Sequence, residues 1–315
     1  MLIHIFRRML LMIPVFVIVS FGTFMLARYA PGDPVLVRAG PRADPEVVER
    51  IRHELGLDKP VIIQYVDYMG GFVTGDLGES ISKYPGTPVA ELIFPRMFIS
   101  AQLGGMGLFL VFFIGIAVGI LAALKRGKWL DPFLISISLF FHSIPSIIFV
   151  PVLLYIMVLQ LHLVPASGWE GIFSLRVVIP LMVFTLPGIV GPARLMRVTL
   201  LAELGEDYIR TARAKGLPEW KIVLKHALRN AMLPMTTVIG LSLVSILEGS
   251  FFIEQLYGIP GIGSLALDAV YARDYDIIMA LTMIVSGAFL VVQLITDIIY
   301  TLIDPRVSLE GSSSE

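Results

Sequence analysis

The chain has 315 residues, 56% of them hydrophobic and 16% charged, whereas an ordinary soluble domain carries roughly 25% charged residues. Lys plus Arg (24) nearly cancels Asp plus Glu (25), so there is no global basic field for nucleic acid and no acidic tail. The absence of cysteine excludes disulfide scaffolds, zinc–thiolate sites, iron–sulfur clusters and cysteine nucleophiles.

A membrane-crossing helix needs about 20 predominantly apolar residues. Charge-free runs of that order occur six times, at 9–27, 97–124, 132–169, 177–193, 230–247 and 277–296. They predict an all-α polytopic membrane protein with spans at 9–28, 97–124, 132–160, 177–198, 234–253 and 277–303. The first run follows Arg7 and Arg8, as in a signal peptide, but its apolar stretch is longer than a 7–15 residue h-region and Arg28 spoils a cleavage site. A retained helix is expected. The third run is read as one long helix kinked near Pro145 and Pro151, with an interfacial loop over 161–176. The fourth holds Pro180, Pro187 and Pro192, which membrane helices tolerate where neighbours satisfy the freed carbonyls.

Positive charge in short loops orients the chain. With a cytoplasmic N-terminus (1–8), fourteen cations fall inside, among them Arg7, Arg8, Lys125, Arg126, Lys128 and the cluster from Arg194 to Arg229; the short outer loops carry only Arg176 and Arg273. Both termini, including the 304–315 tail, are then cytoplasmic. Between the first two spans lies an extracytoplasmic segment, 29–96. There Asp44 can cap a helix that Pro45 begins, with Val47, Val48, Ile51 and Leu55 as its apolar stripe. A small packed outer cap is the plain reading, and a docking surface is compatible with it. A short loop, 125–131, and a long one, 199–233, face inward, and 254–276 faces outward.

In the long inner loop, 206–215 reads as a short helix stopped at Gly216, and Pro218 opens a second helix running to Pro234. Lys221, Lys225 and Arg229 recur at i, i+4 and i+8, a basic amphipathic pattern suited to anionic head groups. The stretch Asp207-Tyr-Ile-Arg-Thr-Ala-Arg-Ala-Lys-Gly-Leu217, followed by Lys225-His-Ala-Leu-Arg-Asn-Ala-Met-Leu-Pro234, closely resembles the coupling-loop signature of ABC importer permeases. More narrowly it resembles the first, B-type permease subunit of the oligopeptide/dipeptide/nickel group. Ala30-Pro-Gly-Asp-Pro34, Leu55-Gly-Leu-Asp-Lys-Pro60, Gly75-Asp-Leu-Gly78, Gly258-Ile-Pro-Gly-Ile-Gly263, Arg273-Asp-Tyr275 and Asp304-Pro-Arg306 match the same group in order. Where the general signature has Glu-Ala-Ala, this chain has Arg210-Thr211-Ala212, a departure common in the peptide group. Contacts made by that glutamate elsewhere do not transfer to Arg210.

The resemblance implies a type I ABC importer permease fold in a prokaryotic inner or plasma membrane. It implies that Glu206, Asp207, Tyr208, Arg210, Thr211, Ala212, Arg213, Lys215 and Gly216 sit in a cleft on a cytoplasmic ATPase subunit, whose ATP-driven closure drives alternating access. The expected partners are a homologous second permease, two ATP-binding subunits, an extracytoplasmic substrate-binding protein and membrane lipid, with no nucleic acid. No cofactor is expected in this chain; ATP and Mg belong to the partner ATPases. Consistently, the only Gly-Lys pair, Gly127-Lys128, is followed by Trp129 and has Ala122 where a phosphate loop needs its first glycine. His53-Glu54 opens a metalloprotease-like pattern, but Leu57 replaces its second histidine. The five histidines show no ligand spacing, so neither a metal site nor catalysis is expected.

Ionisable groups within spans default to functional hypotheses. Glu248 lies some 14 residues into the fifth span, about 21 Å along a helix, and either faces the path and attracts a peptide amino terminus or pairs with a neighbour or outer water. His142 and Ser143 either line the path or pack, and Asp297 reads as structural. Phe252 with Tyr257, Gly258, Pro260 and Gly261 suits an outer gate or a binding-protein contact, though interfacial packing explains the aromatics equally. Peptide is the expected substrate; nickel, glutathione or an oligosaccharide are the family's alternatives. A secondary transporter or channel without an ATPase is the competing class.

Overall fold

In the computed structural model, residues 2–29, 35, 43–54, 56–243, 246 and 251–303 are described. Every named element among them is helical: α1 (Leu2–Tyr29), α2 (Pro45–Glu54), α3 (Val61–Thr74), α4 (Val89–Leu124), α5 (Leu130–His142), α6 (Ser146–Leu154), α7 (Val178–Gly188), α8 (Val190–Glu203), α9 (Asp207–Ala214), α10 (Glu219–Lys221, continued through Ala231), α11 (Leu233–Ser242), α12 (Phe251–Tyr257), α13 (Ile262–Ala272) and α14 (Tyr275–Ile303). α6 runs on into a π-helical turn, Tyr155–Gln160, and α10 contains another, Ile222–Ala227.

Three helices, around α1, α4 and α14, are long and apolar enough to cross a membrane, or up to five if each of two bent pairs makes one span. The expected third span is two helices, not one kinked rod: α5 and α6 meet at 97°. Pro145 has no N–H to continue the helix and disfavours helical geometry at the residue before it, whereas Pro151 sits inside α6 without breaking it. The fourth divides at Ile189 with a 42° bend, between Pro187–Gly188 and Pro192. α4 starts at Val89, eight residues before the expected boundary, because Glu91 and Arg96 mask its first turns in a hydropathy reading. The outer loop expected over 254–276 is mostly helix, carrying part of α12 and all of α13. Of the expected fifth span, α11 and the start of α12 are described; Glu248 lies outside the described residues, as do Leu55, 30–34, 304–306 and the side chain of Asp297.

α4 is the central post. Gly115 and Gly119 let it approach α8: a Cβ on Gly119 would stand 2.6 Å from the Ala193 carbonyl and 2.7 Å from Met196 Cβ, the close packing small residues permit between membrane helices. Three apolar cores stack along it. The outermost joins Leu77, Val89 and Ile93 to Leu265 and Ala269 of α13 and Ile277 of α14. The middle one gathers Leu103, Phe149, Ile179, Ile253 and Tyr257. The innermost joins Phe112, Met196 and Leu200 to Ile209, Ile222 and Met235. At the start of α2 Asp44 acts as the expected helix cap, its Oδ1 accepting from the Glu46 amide at 3.3 Å, while α2 itself has no buried side chain among its described residues.

Candidate coupling surface

α9 is short because its sequence limits it at both ends. Glu206 is extended (φ −70°, ψ 152°), Asp207 occupies the first turn, and Arg213 the last, matching the helix dipole. Gly216 sits at φ +74° with open space where a Cβ would be, so its backbone conformation alone asks for glycine. Its amide donates to Arg213 O at 2.9 Å. Ile209 and Ala212 are fully or nearly fully buried in the innermost core. Asp207, Arg210, Thr211, Arg213, Lys215 and Gly216 are exposed.

Around this helix the polar groups brace one another. The Tyr208 hydroxyl donates to Glu203 Oε2 at the end of α8, and Asn230 Nδ2 donates to the same tyrosine oxygen at 3.2 Å. Burial, then the Glu203 bond, pushes the Tyr208 phenol up. Arg213 donates to both carboxylate oxygens of Glu219, at 2.6 and 3.2 Å, which holds the Glu219 carboxyl below its usual range. Arg210 pairs with Asp207 at 3.1 Å within the helix. On α10, Ile222, Val223, Ala227 and Ala231 face the core while Trp220, Leu224, Lys225 and Arg229 are exposed. The result is an anchored knob: an apolar underside fixed to α8 and α11, and a polar outer face open to a partner.

Residues 115–309 match the family described as binding-protein-dependent transport system inner membrane component, and residues 1–89 match its N-terminal region. An OppB oligopeptide transport system permease protein from Haemophilus influenzae is 37% identical over 309 residues, covering 98% of this chain and 99% of its own. The chain belongs to this permease family. A probable peptide ABC transporter permease protein of Sinorhizobium fredii is 36% identical, covering 97% of this chain and 99% of its own. The dipeptide transport system permease protein DppB of Escherichia coli is 35% identical with 98% and 99% covered. A structure of the MetNI methionine ABC transporter in an inward-facing conformation superposes with a TM-score of 0.56 at 20% identity, over 68% of this chain and 96% of that one. That likeness concerns the fold.

Elsewhere in the permease the residues singled out from sequence scatter. His142 and Ser143 end α5 at the 97° break and are exposed; His142 Nδ1 lies 3.0 Å from Pro187 O, where it donates to the carbonyl beside the second bend. Ser143 bonds back to Leu139 O at 2.8 Å. Phe252 is exposed on α12, but Tyr257 is buried with Phe149 and Ile179. Gly258 and Pro260 are exposed and Gly261 is buried. Tyr257 and Gly261 are thus packed inside this end of the bundle, while Phe252, Gly258 and Pro260 are exposed at its surface.

Two buried carboxylates escaped the sequence reading. Glu254 accepts from Ser100 Oγ at 2.7 Å, from the Gly263 amide at 2.7 Å and from the Ser264 amide at 3.2 Å, capping α13 and tying it to α4. A Cβ on Gly261 would fall 2.3 Å from Glu254 Oε2, which explains the glycine. Asp274 accepts from Ser80 Oγ at 2.5 Å, from the Ser82 amide at 3.1 Å and from the Lys83 amide at 3.0 Å, pinning the 79–84 loop to the α13–α14 corner. The available signal was an acid a few residues ahead of a glycine turn that opens a helix, and the Arg-Asp-Tyr motif itself. At the inner end Asp131 receives both Arg197 Nε and Nη2, at 2.5 and 2.7 Å, joining α5 to α8.

Proposed function

We propose that this chain is the first permease subunit of an ABC importer for di- or oligopeptides, forming half of the path with a homologous second permease. Two ATPase chains and an extracytoplasmic binding protein complete it. The observation that carries the coupling role is the anchored knob. Because Ile209 and Ala212 are embedded among side chains of α4, α8 and α11, a push on α9 is transmitted to those helices instead of being absorbed by a loop. The peptide substrate rests on the near full-length similarity to permeases named for peptides. The chain itself is read as non-catalytic and free of cofactors, with ATP and Mg in its partners. The knob is cytoplasmic, as are both termini, on the charge asymmetry of the loops.

The absence of native cysteine gives a clean experiment. A single Ala214→Cys substitution in the assembled transporter should cross-link to an ATPase chain bearing a cysteine in its cleft. Arg210→Glu with Lys215→Glu, which alters only exposed charge, should cut substrate-stimulated ATP turnover more than tenfold while the permease stays folded. Unchanged coupling in that pair, with no cross-link, refutes the assignment.

A further inference from the structure

Between α5 and α8, beside the Asp131–Arg197 pair, lies an open cleft of about 300 Å³ lined by Asp131, Pro132, Ile135, Arg194, Arg197 and Val198. Its two cations differ. Arg197 is neutralised by Asp131; Arg194 is exposed and has no side-chain partner among the described residues. The two helices run in opposite directions, Asp131 meeting Arg197 and His142 meeting Pro187, so with the proposed cytoplasmic knob Arg194, three residues before Arg197, stands about 4.5 Å further from the inner surface, beside Ile135 and Val198. A guanidinium at that depth against apolar walls reaches back toward the interface for an anion. The interface is marked by Trp129, 70% exposed and packed on Phe133 at 5.7 Å, in the position membrane-interface aromatics take. Next to it Lys125, Arg126 and Lys128 are exposed.

We infer that this cleft binds an anionic phospholipid from the cytoplasmic leaflet. One acyl chain lies along Pro132, Ile135 and Val198, and the phosphate sits on Arg194 with the 125–128 loop adding positive field. A basic pocket between membrane helices on the inner side is the general form of such a site. The apolar lining favours a lipid over a free anion, since inorganic phosphate would leave those walls facing water.

The test uses the assembled transporter in nanodiscs of phosphatidylcholine with one-fifth phosphatidylglycerol, followed by delipidation and mass spectrometry of retained lipid. Wild type should retain phosphatidylglycerol several-fold above its share of the bilayer. Arg194→Gln should abolish the enrichment, Arg194→Lys should keep part of it, and Lys59→Gln at the opposite face should leave it intact. Ile135→Trp, which fills the cleft and leaves every charge in place, should also abolish it, so a folding defect at Arg194 does not shelter the idea. The site is refuted if wild type shows no enrichment, if both cleft variants retain it, or if millimolar inorganic phosphate displaces it. It is equally refuted if Arg194→Gln releases the second permease while lipid retention is unchanged, which would make the cleft a subunit interface. Loss of coupling in the α9 variants with lipid retention intact would bear only on the ATPase reading.

Discussion

The two ends of the molecule use carboxylates in opposite ways. At the outer end Glu254 and Asp274 are fully buried and spend their lone pairs largely on backbone amides and serine hydroxyls, binding α4, α13, the 79–84 loop and the α13–α14 corner into one block. At the inner end Asp207, Glu203 and Glu219 meet tyrosine, asparagine and arginine at the surface. Buried acceptors facing fixed amides leave no alternative geometry, because an unpaired amide there costs about 1–3 kcal/mol. Exposed side-chain pairs exchange with water at a cost near zero. The difference teaches which end is a frame and which can be handed to a partner: the outer block resists rearrangement, while the inner knob is fixed from beneath and free on top.

The comparison is broken most directly from the outer side. Glu254→Ala removes the acceptor of two α13 amides and of Ser100 together, an expected loss of about 3 kcal/mol, read as a drop in thermal midpoint of the purified permease. Asp274→Ala should cost nearly as much and should also expose the 79–84 loop to protease. If either variant melts like wild type, the outer end is not a frame. The Asp131–Arg197 pair is intermediate, being 8% and 29% exposed at its two side chains. Asp131→Asn should cost about 2 kcal/mol, between the surface and buried cases. A double-mutant cycle with Arg197→Gln should then show strong coupling between the two sites.

How much of this was legible in the sequence follows the range of the interactions. α9 and its stop at Gly216 could be read directly, because helix limits depend on neighbours along the chain. So could α2, where Asp44 and Pro45 act within one turn. The cap of α13 could not: Glu254 reaches Ser100 across 154 positions, and periodicity carries no such information. Nor could the break at Pro145, since proline is accommodated within a helix at Pro151 and ends one at Pro145, and the local sequence does not say which. Tyr257 shows the same limit in reverse. Its position at the end of a span suits an interfacial aromatic, yet the fold covers it with Phe149 and Ile179. Charge asymmetry predicts a cytoplasmic side for the knob, but only the fold separates Ile209 and Ala212, which hold it, from Arg210 and Lys215, which it presents.

Smaller effects sharpen the inner half of the comparison. Tyr208→Phe removes the donor to Glu203 and should cost about 1 kcal/mol, visible as a shift of a few degrees, with Asn230 still able to reach Glu203 Oε2 at 3.4 Å. The least costly change concerns Arg213 and Glu219, whose side chains are 43% and 57% exposed, so breaking the pair should alter stability by about 0.5 kcal/mol or less. Its signature is pH. Arg213 holds the Glu219 carboxyl below the ordinary 4.5, and a depressed folded-state value stabilises above the unfolded value and is lost as pH falls through the folded one. No change is therefore expected between pH 5 and 8. Trp220, adjacent to Glu219 and exposed, can report the event in a chain whose other tryptophans, Trp129 and Trp169, are replaced by Phe. Its fluorescence should move only below the ordinary carboxyl value, and Arg213→Gln should bring the transition back up toward 4.5. A transition that ignores Arg213 would mean that the pair does not brace the α9–α10 corner, leaving the buried Ile209 and Ala212 and the Tyr208–Glu203–Asn230 bonds to anchor it.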